Sequence, residues 1–116
     1  MSLKIYYLDD EPDLLVLFTE TFSAPGREIS TFSDSKVAIE KINKNKPDIL
    51  FLDYRMPNFT GDQIAQMLDP SIPKYLITGD IQVNTDYKFK AVIKKPYSTE
   101  EIEKILVEMN QLKKAT

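Results

Sequence analysis

The chain has 116 residues, is 42% hydrophobic and 28% charged, and carries a formal net charge of -3. This length fits one domain over residues 1–116, and the composition is typical of a globular protein rather than a disordered one. The acidic balance argues against direct binding of nucleic acid, which needs clustered Lys and Arg. The lack of Cys and His excludes disulfide frameworks, thiolate and imidazole metal sites, and His-activated nucleophiles.

The chain carries no sequence signal for a membrane. No run approaches the roughly 18 consecutive apolar residues that span a bilayer, and the apolar residues 4 to 8 are too few for a signal-peptide core. We therefore expect no membrane partner and a cytoplasmic location, for which the absence of Cys is also the ordinary pattern.

Short apolar runs alternate with segments of helical spacing along the whole chain. The first run stops at an acidic stretch followed by Pro12, which is typical of a helix start with an acidic N-cap, and Asp10 is a candidate for that cap. The patterns predict strands over 4–8, 28–32, 49–52, 75–77 and 91–93, and helices over 12–23, from the Ser33–Ser35 caps to Asn45, from Thr60 to about Leu68, and from Ser98 through Leu112.

The clarity of these signals varies along the chain. Residues 49 to 52 are continuously apolar, which indicates a central strand covered on both faces. Ser98 and Glu101 match a capping box at the start of the last helix. Residues 80 to 90 show no clean helical period, so any helix there should be short or irregular.

Strands alternating with helices predict a parallel sheet covered on both faces, with right-handed crossovers. Ligands of such open sheets bind beyond the carboxyl ends of the strands. The polar residues at those ends are Asp9, Asp10, Asp53, Thr78, Lys94 and Lys95. We therefore expect three carboxylates, a hydroxyl and an ammonium to converge on one pocket.

The converging residue types suit a divalent cation and a phosphoryl group. Mg²⁺ prefers carboxylate oxygens and is usually held by one or two carboxylates together with phosphate. A carboxylate near the metal can also attack phosphorus, while an ammonium and a hydroxyl stabilise the phosphoryl oxygens. Asp53 is the strongest candidate, because a carboxylate ending a wholly apolar strand is costly unless something compensates it.

These residues also carry a family resemblance. The ordered set Asp9-Asp10, Asp53 to Pro57 with Gly61, Thr78-Gly79 and Lys95-Pro96 resembles the receiver domain of two-component response regulators, over essentially the whole chain. The resemblance implies a single receiver domain over 1–116. It also implies a flavodoxin-like, doubly wound, five-stranded parallel sheet of order 2-1-3-4-5, with helices on both faces.

The resemblance implies a role for each matching residue. Asp53 is expected to accept a phosphoryl group from a sensor histidine kinase, a phosphotransfer protein or a small donor, with Mg²⁺ or Mn²⁺ as the cofactor. Asp10 would bind the metal directly, Asp9 mainly through water, and Arg55 through its backbone carbonyl. Thr78 and Lys95 would contact the phosphoryl group, together with the backbone amides of Arg55 and Gly79. The Lys95-Pro96 peptide resembles one that is usually cis.

Simpler interpretations remain for single residues, and two rival functions remain for the chain. Lys95 alone would be a solvated lysine, and Thr78 alone would be a strand-end residue. One rival is a Mg²⁺-dependent phosphatase with an aspartyl nucleophile, which Arg55 disfavours because it stands where a second acid is typical. The other is a phosphorylation-independent interaction or dimerisation module. With no output segment expected after the last helix, the chain would be a stand-alone receiver or part of a longer regulator, with an output partner that the sequence leaves unknown.

The chain departs from the family pattern in two places. Val92 stands three residues before the Lys-Pro pair, where an aromatic residue usually relays the movement of the threonine; Tyr97, Tyr87 or Phe89 are candidate substitutes, and ordinary strand core is the simpler interpretation of Val92. The spacing from Asp53 through Thr78 to Lys95 is short, which predicts a shortened third helix and a fourth helix of a turn or two. Arg55 and Asp80 are also predicted, as a hypothesis, to pair across the pocket mouth, with two solvated loop residues as the alternative.

Overall fold

A computed structural model describes residues 2–115, in which strands and helices alternate. The strands are β1 Leu3–Leu8, β2 Arg27–Phe32, β3 Ile49–Asp53, β4 Lys74–Thr78 and β5 Ala91–Lys94, and the helices are α1 Pro12–Phe22, α2 Ser35–Lys44, α3 Gly61–Gln66 and α4 Thr99–Lys114. Every predicted strand is present. The observed bounds either match the predicted ones or extend them by one residue.

The strands form one parallel sheet of order β2-β1-β3-β4-β5. Its register places Leu8 beside Leu52, Asp53 beside Ile77, and Thr78 beside Lys94. The carboxyl ends of β1, β3, β4 and β5 therefore lie side by side at one edge of the sheet. The predicted sheet order, parallel sense and flavodoxin-like class are confirmed.

The core is divided by the sheet into two layers. Alternate residues of β1 enter opposite layers, because successive side chains of a strand point to opposite faces. One layer holds Tyr7 and Phe51 against Phe18 of α1 and Ile102 of α4. In the other layer α2 and α3 pack on the sheet through apolar residues that include Ala38, Ile42, Ile64 and Ala65. Helices thus cover both faces, as the sequence predicts.

The helix starts follow local capping chemistry with one correction. The Asp34 side chain accepts from the backbone N of Lys36 and Val37, and Ser98 accepts from Glu101 N. The cap of α1 is Glu11 rather than Asp10, and its side chain makes no capping hydrogen bond. The prediction that Asp10 caps α1 is therefore wrong, since Asp10 remains exposed at the sheet edge.

The two predicted reductions occur after β3 and after β4. Helix α3 has six residues, and residues 79–90 contain no helix at all. The predicted shortening of the helix between β4 and β5 is therefore confirmed and goes further than the expected turn or two, because the apolar residues of 79–90 follow no clean helical period. The segment is held instead by side-chain contacts: the Tyr87 and Phe89 rings pack in a tilted arrangement with their centroids 4.8 Å apart, and the Lys74 ammonium lies 5.5 Å from the Tyr87 ring centroid.

Gly61 begins α3 directly against the end of β3. A Cβ atom at this position would lie 2.6 Å from the Asp53 carbonyl oxygen and 2.8 Å from Leu76 Cδ1. The missing side chain therefore lets α3 start beside the candidate acceptor.

No helix among residues 2–115 has both the length and the apolarity needed to cross a membrane.

Candidate functional site

The three predicted carboxylates meet at the edge of the sheet. Asp9, Asp10 and Asp53 each offer an oxygen within 4.8 Å of the others. Asp9 is 0% exposed and Asp53 is 4% exposed, whereas Asp10 faces solvent. One open and two buried carboxylates make a concentrated negative site that water and ions can still reach.

Lys95 supplies the positive charge of the site. Its Nζ lies 3.1 Å from Asp9 Oδ2, 3.2 Å from Asp53 Oδ1 and 4.0 Å from Glu11 Oε1. The lysine follows β5 and crosses toward the ends of β1 and β3, which the sheet order brings together. Its peptide bond with Pro96 is cis, in agreement with the resemblance. The simpler interpretation of Lys95 as a solvated lysine is wrong.

The surroundings oppose the charge of Asp53 and favour that of Lys95. Burial, and then the neighbouring Asp9 charge, raise the pKa of Asp53 to about 6, although Lys95 acts in the opposite direction. For Lys95, burial disfavours the ammonium, but hydrogen bonds and charges from Asp9 and Asp53 together outweigh it and raise the pKa. The site therefore gathers more negative charge than one lysine compensates, which favours binding of a cation.

Thr78 ends β4 next to this cluster. It is 1% exposed, and its Oγ1 accepts a hydrogen bond of 2.9 Å from Asp80 N. Because the oxygen is the acceptor in that contact, the hydroxyl hydrogen is available for a ligand. Within residues 2–115, the backbone amides of Arg55 and Gly79 donate no hydrogen bond, so both are also available.

Arg55 and Asp80 pair across the ends of β3 and β4. Arg55 Nε lies 3.0 Å from Asp80 Oδ1, and the second Arg55 nitrogen lies 3.0 Å from Asp80 Oδ2. The predicted pair is therefore present as a two-pronged contact, rather than as two solvated loop residues. Its hydrogen bonds raise the pKa of Arg55.

Val92 is separated from this site. On β5 it pairs with Leu76 of β4, and it is 47% exposed, because within residues 2–115 no helix lies between β4 and β5 to cover that side of the edge strand. Its interpretation as ordinary strand core is wrong. Tyr87 and Phe89 lie against the α2/α3 layer, and Tyr97 lies against the α1/α4 layer.

Sequence reasoning missed one residue of the site. Tyr7, which reads as core, places its hydroxyl 2.5 Å from Asp9 Oδ2. Burial, and then the hydrogen bond to Asp9, raise the pKa of the Tyr7 phenol. The signal was the spacing: residues two apart on a strand share a face, so Tyr7 and Asp9 had to point the same way.

The three-carboxylate cluster fits a hard divalent cation. Its donors are all oxygens, which suits Mg²⁺ or Mn²⁺ and excludes a soft metal site. Asp10 is the most open of the three, and Asp53 is shared with Lys95. When bound, such a cation would neutralise charge between the carboxylates and a phosphoryl oxygen.

Similar architecture and sequence occur in signalling proteins. The family model described as response regulator receiver domain matches residues 5–107. An uncharacterized response regulatory protein of Vibrio vulnificus is 37% identical over 73 residues, covering 60% of this chain and 30% of the relative. The transcriptional regulatory protein BtsR of Escherichia coli is 29% identical over 119 residues, covering 94% and 48%.

A solved structure shares the fold over the full chain. The signal receiver domain of an HD domain-containing protein from Pseudomonas fluorescens superposes with a TM-score of 0.88 at 15% identity, covering 100% of both chains. The fold and site thus define a CheY-like signalling domain. The chain belongs to the response regulator receiver domain family of two-component systems. It spans about half or less of the length of the curated relatives described above.

Proposed function

We propose that Asp53 accepts a phosphoryl group in a Mg²⁺- or Mn²⁺-dependent reaction that switches partner binding. The observation that carries this proposal is the placement of Asp53 within 4.8 Å of two further carboxylates and 3.2 Å from the Lys95 ammonium. A structural role alone does not explain why three acids and one lysine converge at the end of an apolar strand.

The transfer itself uses few groups. An Asp53 oxygen attacks phosphorus, the phosphorus–nitrogen bond of a donor phosphohistidine breaks, and the imidazole leaves with the electron pair and takes a proton from solvent. Lys95, Thr78 and the amides of Arg55 and Gly79 would stabilise the phosphoryl oxygens, a role that is supported by the position of Lys95 beside Asp53 and by the two free amides. Asp10 would hold the cation directly, Asp9 through water, and Arg55 through its carbonyl. Attack by water later restores Asp53 and releases phosphate.

The partners follow from the family. The donor would be a sensor histidine kinase or a phosphotransfer protein. The output partner would be a further protein or domain whose binding the added charge strengthens or weakens. The chain would catalyse only its own modification. A phosphatase role is disfavoured because Arg55, rather than an acid, lies two residues after Asp53 and pairs with Asp80.

Intact-mass measurement tests the proposal. The protein is incubated with Mg²⁺ and a small acyl phosphate, beside Asp53→Ala and the control Asp86→Asn, an exposed acid in the 79–90 segment. Wild type and Asp86→Asn should each gain one phosphoryl group, and Asp53→Ala should gain none. Binding of beryllium fluoride with Mg²⁺ is a second readout. If wild type shows neither mass gain nor analogue binding, the proposal is wrong, and the phosphorylation-independent module becomes the better description.

A further inference from the structure

The Tyr7 side chain is held rigidly beside the pocket. Its ring is fully buried, and it lies 4.6 Å from the Phe18 ring, between β1 and α1. A buried tyrosine has few torsions to adjust, so its hydroxyl has a fixed position at the floor of the site. Because Asp9 directly follows β1 and lies two residues after Tyr7, both side chains point to the same side of the sheet, and the Tyr7 hydroxyl is directed at the Asp9 carboxylate.

The Asp9 carboxylate is oriented by donors on both of its oxygens. Oδ1 accepts from Glu11 N at 3.0 Å, and Oδ2 accepts from the Tyr7 hydroxyl at 2.5 Å. One fixed donor on each oxygen prevents rotation of the carboxylate plane. Oδ2 also contacts Lys95 Nζ at 3.1 Å, so Asp9 has three partners before any cation arrives.

The partners of Asp9 differ in whether they can keep their contact with it once Asp53 is phosphorylated. Lys95 is shared with Asp53, and under the proposed function it contacts the phosphoryl group that Asp53 receives. The Tyr7 hydroxyl donates to Asp9 alone among residues 2–115. When Lys95 shifts toward a phosphoryl group, Tyr7 therefore remains as the donor on Oδ2.

A second phenol lies nearby without this contact. The Tyr97 hydroxyl oxygen is buried and meets no geometric hydrogen-bond criterion within residues 2–115, although it lies close enough to the Tyr7 hydroxyl, Asp9 and Lys95 to interact with them electrostatically. Two buried phenol hydroxyls thus lie near one carboxylate, and only that of Tyr7 is hydrogen-bonded to it. The pair provides its own internal control.

We propose that Tyr7 is a positioning residue for the cation site, whose hydroxyl fixes the orientation of Asp9 in the free protein and continues to do so when Lys95 moves to the phosphoryl group. This inference rests on the proposed function, because it assigns Asp9 to a cation site. Hydrogen-bonded partners that orient metal-binding carboxylates commonly contribute about tenfold or more to metal affinity. Asp9 is expected to act mainly through water, so the effect of Tyr7 should lie near three- to tenfold.

The test compares Tyr7→Phe with Tyr97→Phe. Each change removes one hydroxyl and keeps the ring packing. Mg²⁺ affinity is measured by titration calorimetry, and the Mg²⁺ dependence of the phosphorylation rate is measured with a small acyl phosphate. Tyr7→Phe should weaken Mg²⁺ binding three- to tenfold and raise the half-saturating Mg²⁺ concentration equally, while the rate at saturating Mg²⁺ stays within twofold of wild type. Tyr97→Phe should leave both quantities unchanged.

Several outcomes overturn the inference. Unchanged or tighter Mg²⁺ binding by Tyr7→Phe would show that Asp9 needs no such donor. An equal loss in both variants would indicate a general effect of the pocket floor. A lower rate at saturating Mg²⁺ with unchanged Mg²⁺ affinity would place Tyr7 in the transfer step instead. These results leave the proposed function standing, whereas failure of wild type to bind Mg²⁺ or a phosphoryl analogue removes both.

Discussion

Ionisation of Asp53 costs free energy in the folded protein, and the nearby Lys95 ammonium offsets only part of that cost. Its pKa of about 6 lies above the ordinary value of 3.8, because burial and the Asp9 charge outweigh the help from Lys95. Between these two values the folded protein binds more protons at Asp53 than the unfolded chain does. The contribution of Asp53 to the free energy of unfolding therefore falls as the pH rises through this window, and is constant above it.

Asp53→Asn should remove this pH dependence. Without divalent metal, the variant should gain stability relative to wild type as the pH rises from about 4 to 6, reaching about 1–3 kcal/mol at neutral pH. Urea unfolding across this range measures the difference, and Asp86→Asn provides a control that should track wild type. Parallel curves for wild type and Asp53→Asn would contradict the raised pKa. Added Mg²⁺ should reduce the difference by stabilising wild type.

The Arg55–Asp80 pair lies across the ends of β3 and β4, beside the proposed phosphoryl site. Asp80→Asn should release Arg55 and admit water to the phosphoryl group, which raises the dephosphorylation rate by about two- to fivefold. Global stability should change little, because most of the Arg55 side chain is solvent-exposed. Following the loss of phosphoryl mass over time measures the rate, with Asp86→Asn as the control. An unchanged rate would return Asp80 to the status of a loop residue.

The site was easier to predict from the sequence than the contacts behind it. Asp53, Thr78 and Lys95 stand at the ends of apolar runs, so parallel strands alone bring them together. Asp10 was misassigned as a cap, because an acid before Pro12 is compatible with capping and only the three-dimensional path shows that Glu11 takes that position. Tyr7 was missed because a buried phenol and a core ring give the same apolar signal.

Gly61 sets the distance between α3 and β3. Gly61→Ala should destabilise the protein by about 1–3 kcal/mol, since a methyl group would meet the Asp53 carbonyl oxygen at 2.6 Å and must displace backbone. The matched control is Gly79→Ala, where the nearest atom, Lys95 Cβ, lies 3.9 Å away. That variant should keep wild-type stability or gain a few tenths of a kcal/mol. Equal stability of the two variants in urea unfolding would show that α3 moves away at little cost.

The strands were predictable as elements, whereas the segment between β4 and β5 was predictable only as irregular. Strand β3 is buried on both faces, and its continuous apolar run predicts this directly. Residues 79–90 lack any period because their order comes from separate contacts, such as Tyr87 with Phe89 and with Lys74. Contacts of this kind depend on the position of distant chain segments and leave no local pattern.

At the scale of the whole molecule, two chains of contacts could transmit a conformational change from the pocket to the surface, and we call them the first and the second route. One runs from Thr78 to Asp80, whose backbone N bonds Thr78 Oγ1, and whose carbonyl accepts from Lys94 Nζ. The other runs from Lys95 through Tyr97 to the Ser98 cap of α4. Val92, which is half exposed on β5, has no aromatic ring that could move between a buried and an exposed position and so couple the pocket to the surface.

The first route should respond more strongly to a phosphoryl analogue. Residues 79–90 have no helix and few backbone hydrogen bonds, and Ile81 is 98% exposed, so little packing resists their rearrangement. Helix α4, in contrast, is anchored by buried Ile102 and Leu106. A shift of Thr78 toward phosphoryl oxygens would change the partner of Asp80 N, and Lys94, which donates to the Asp80 and Ile81 carbonyls, would pass that change to Ile81. Segments of low local stability are where such coupled changes concentrate.

Hydrogen exchange with Mg²⁺ and beryllium fluoride tests this order of response. Amides of residues 79–83 should change exchange rate by about threefold or more, while amides of α2, which lies away from both routes, stay constant. Asp53→Asn should abolish the response, which separates it from unspecific effects of fluoride and Mg²⁺. A response confined to the start of α4 would place the output on the second route instead. Because β5 separates residues 79–83 from the start of α4 along the chain, one exchange experiment distinguishes the two responses.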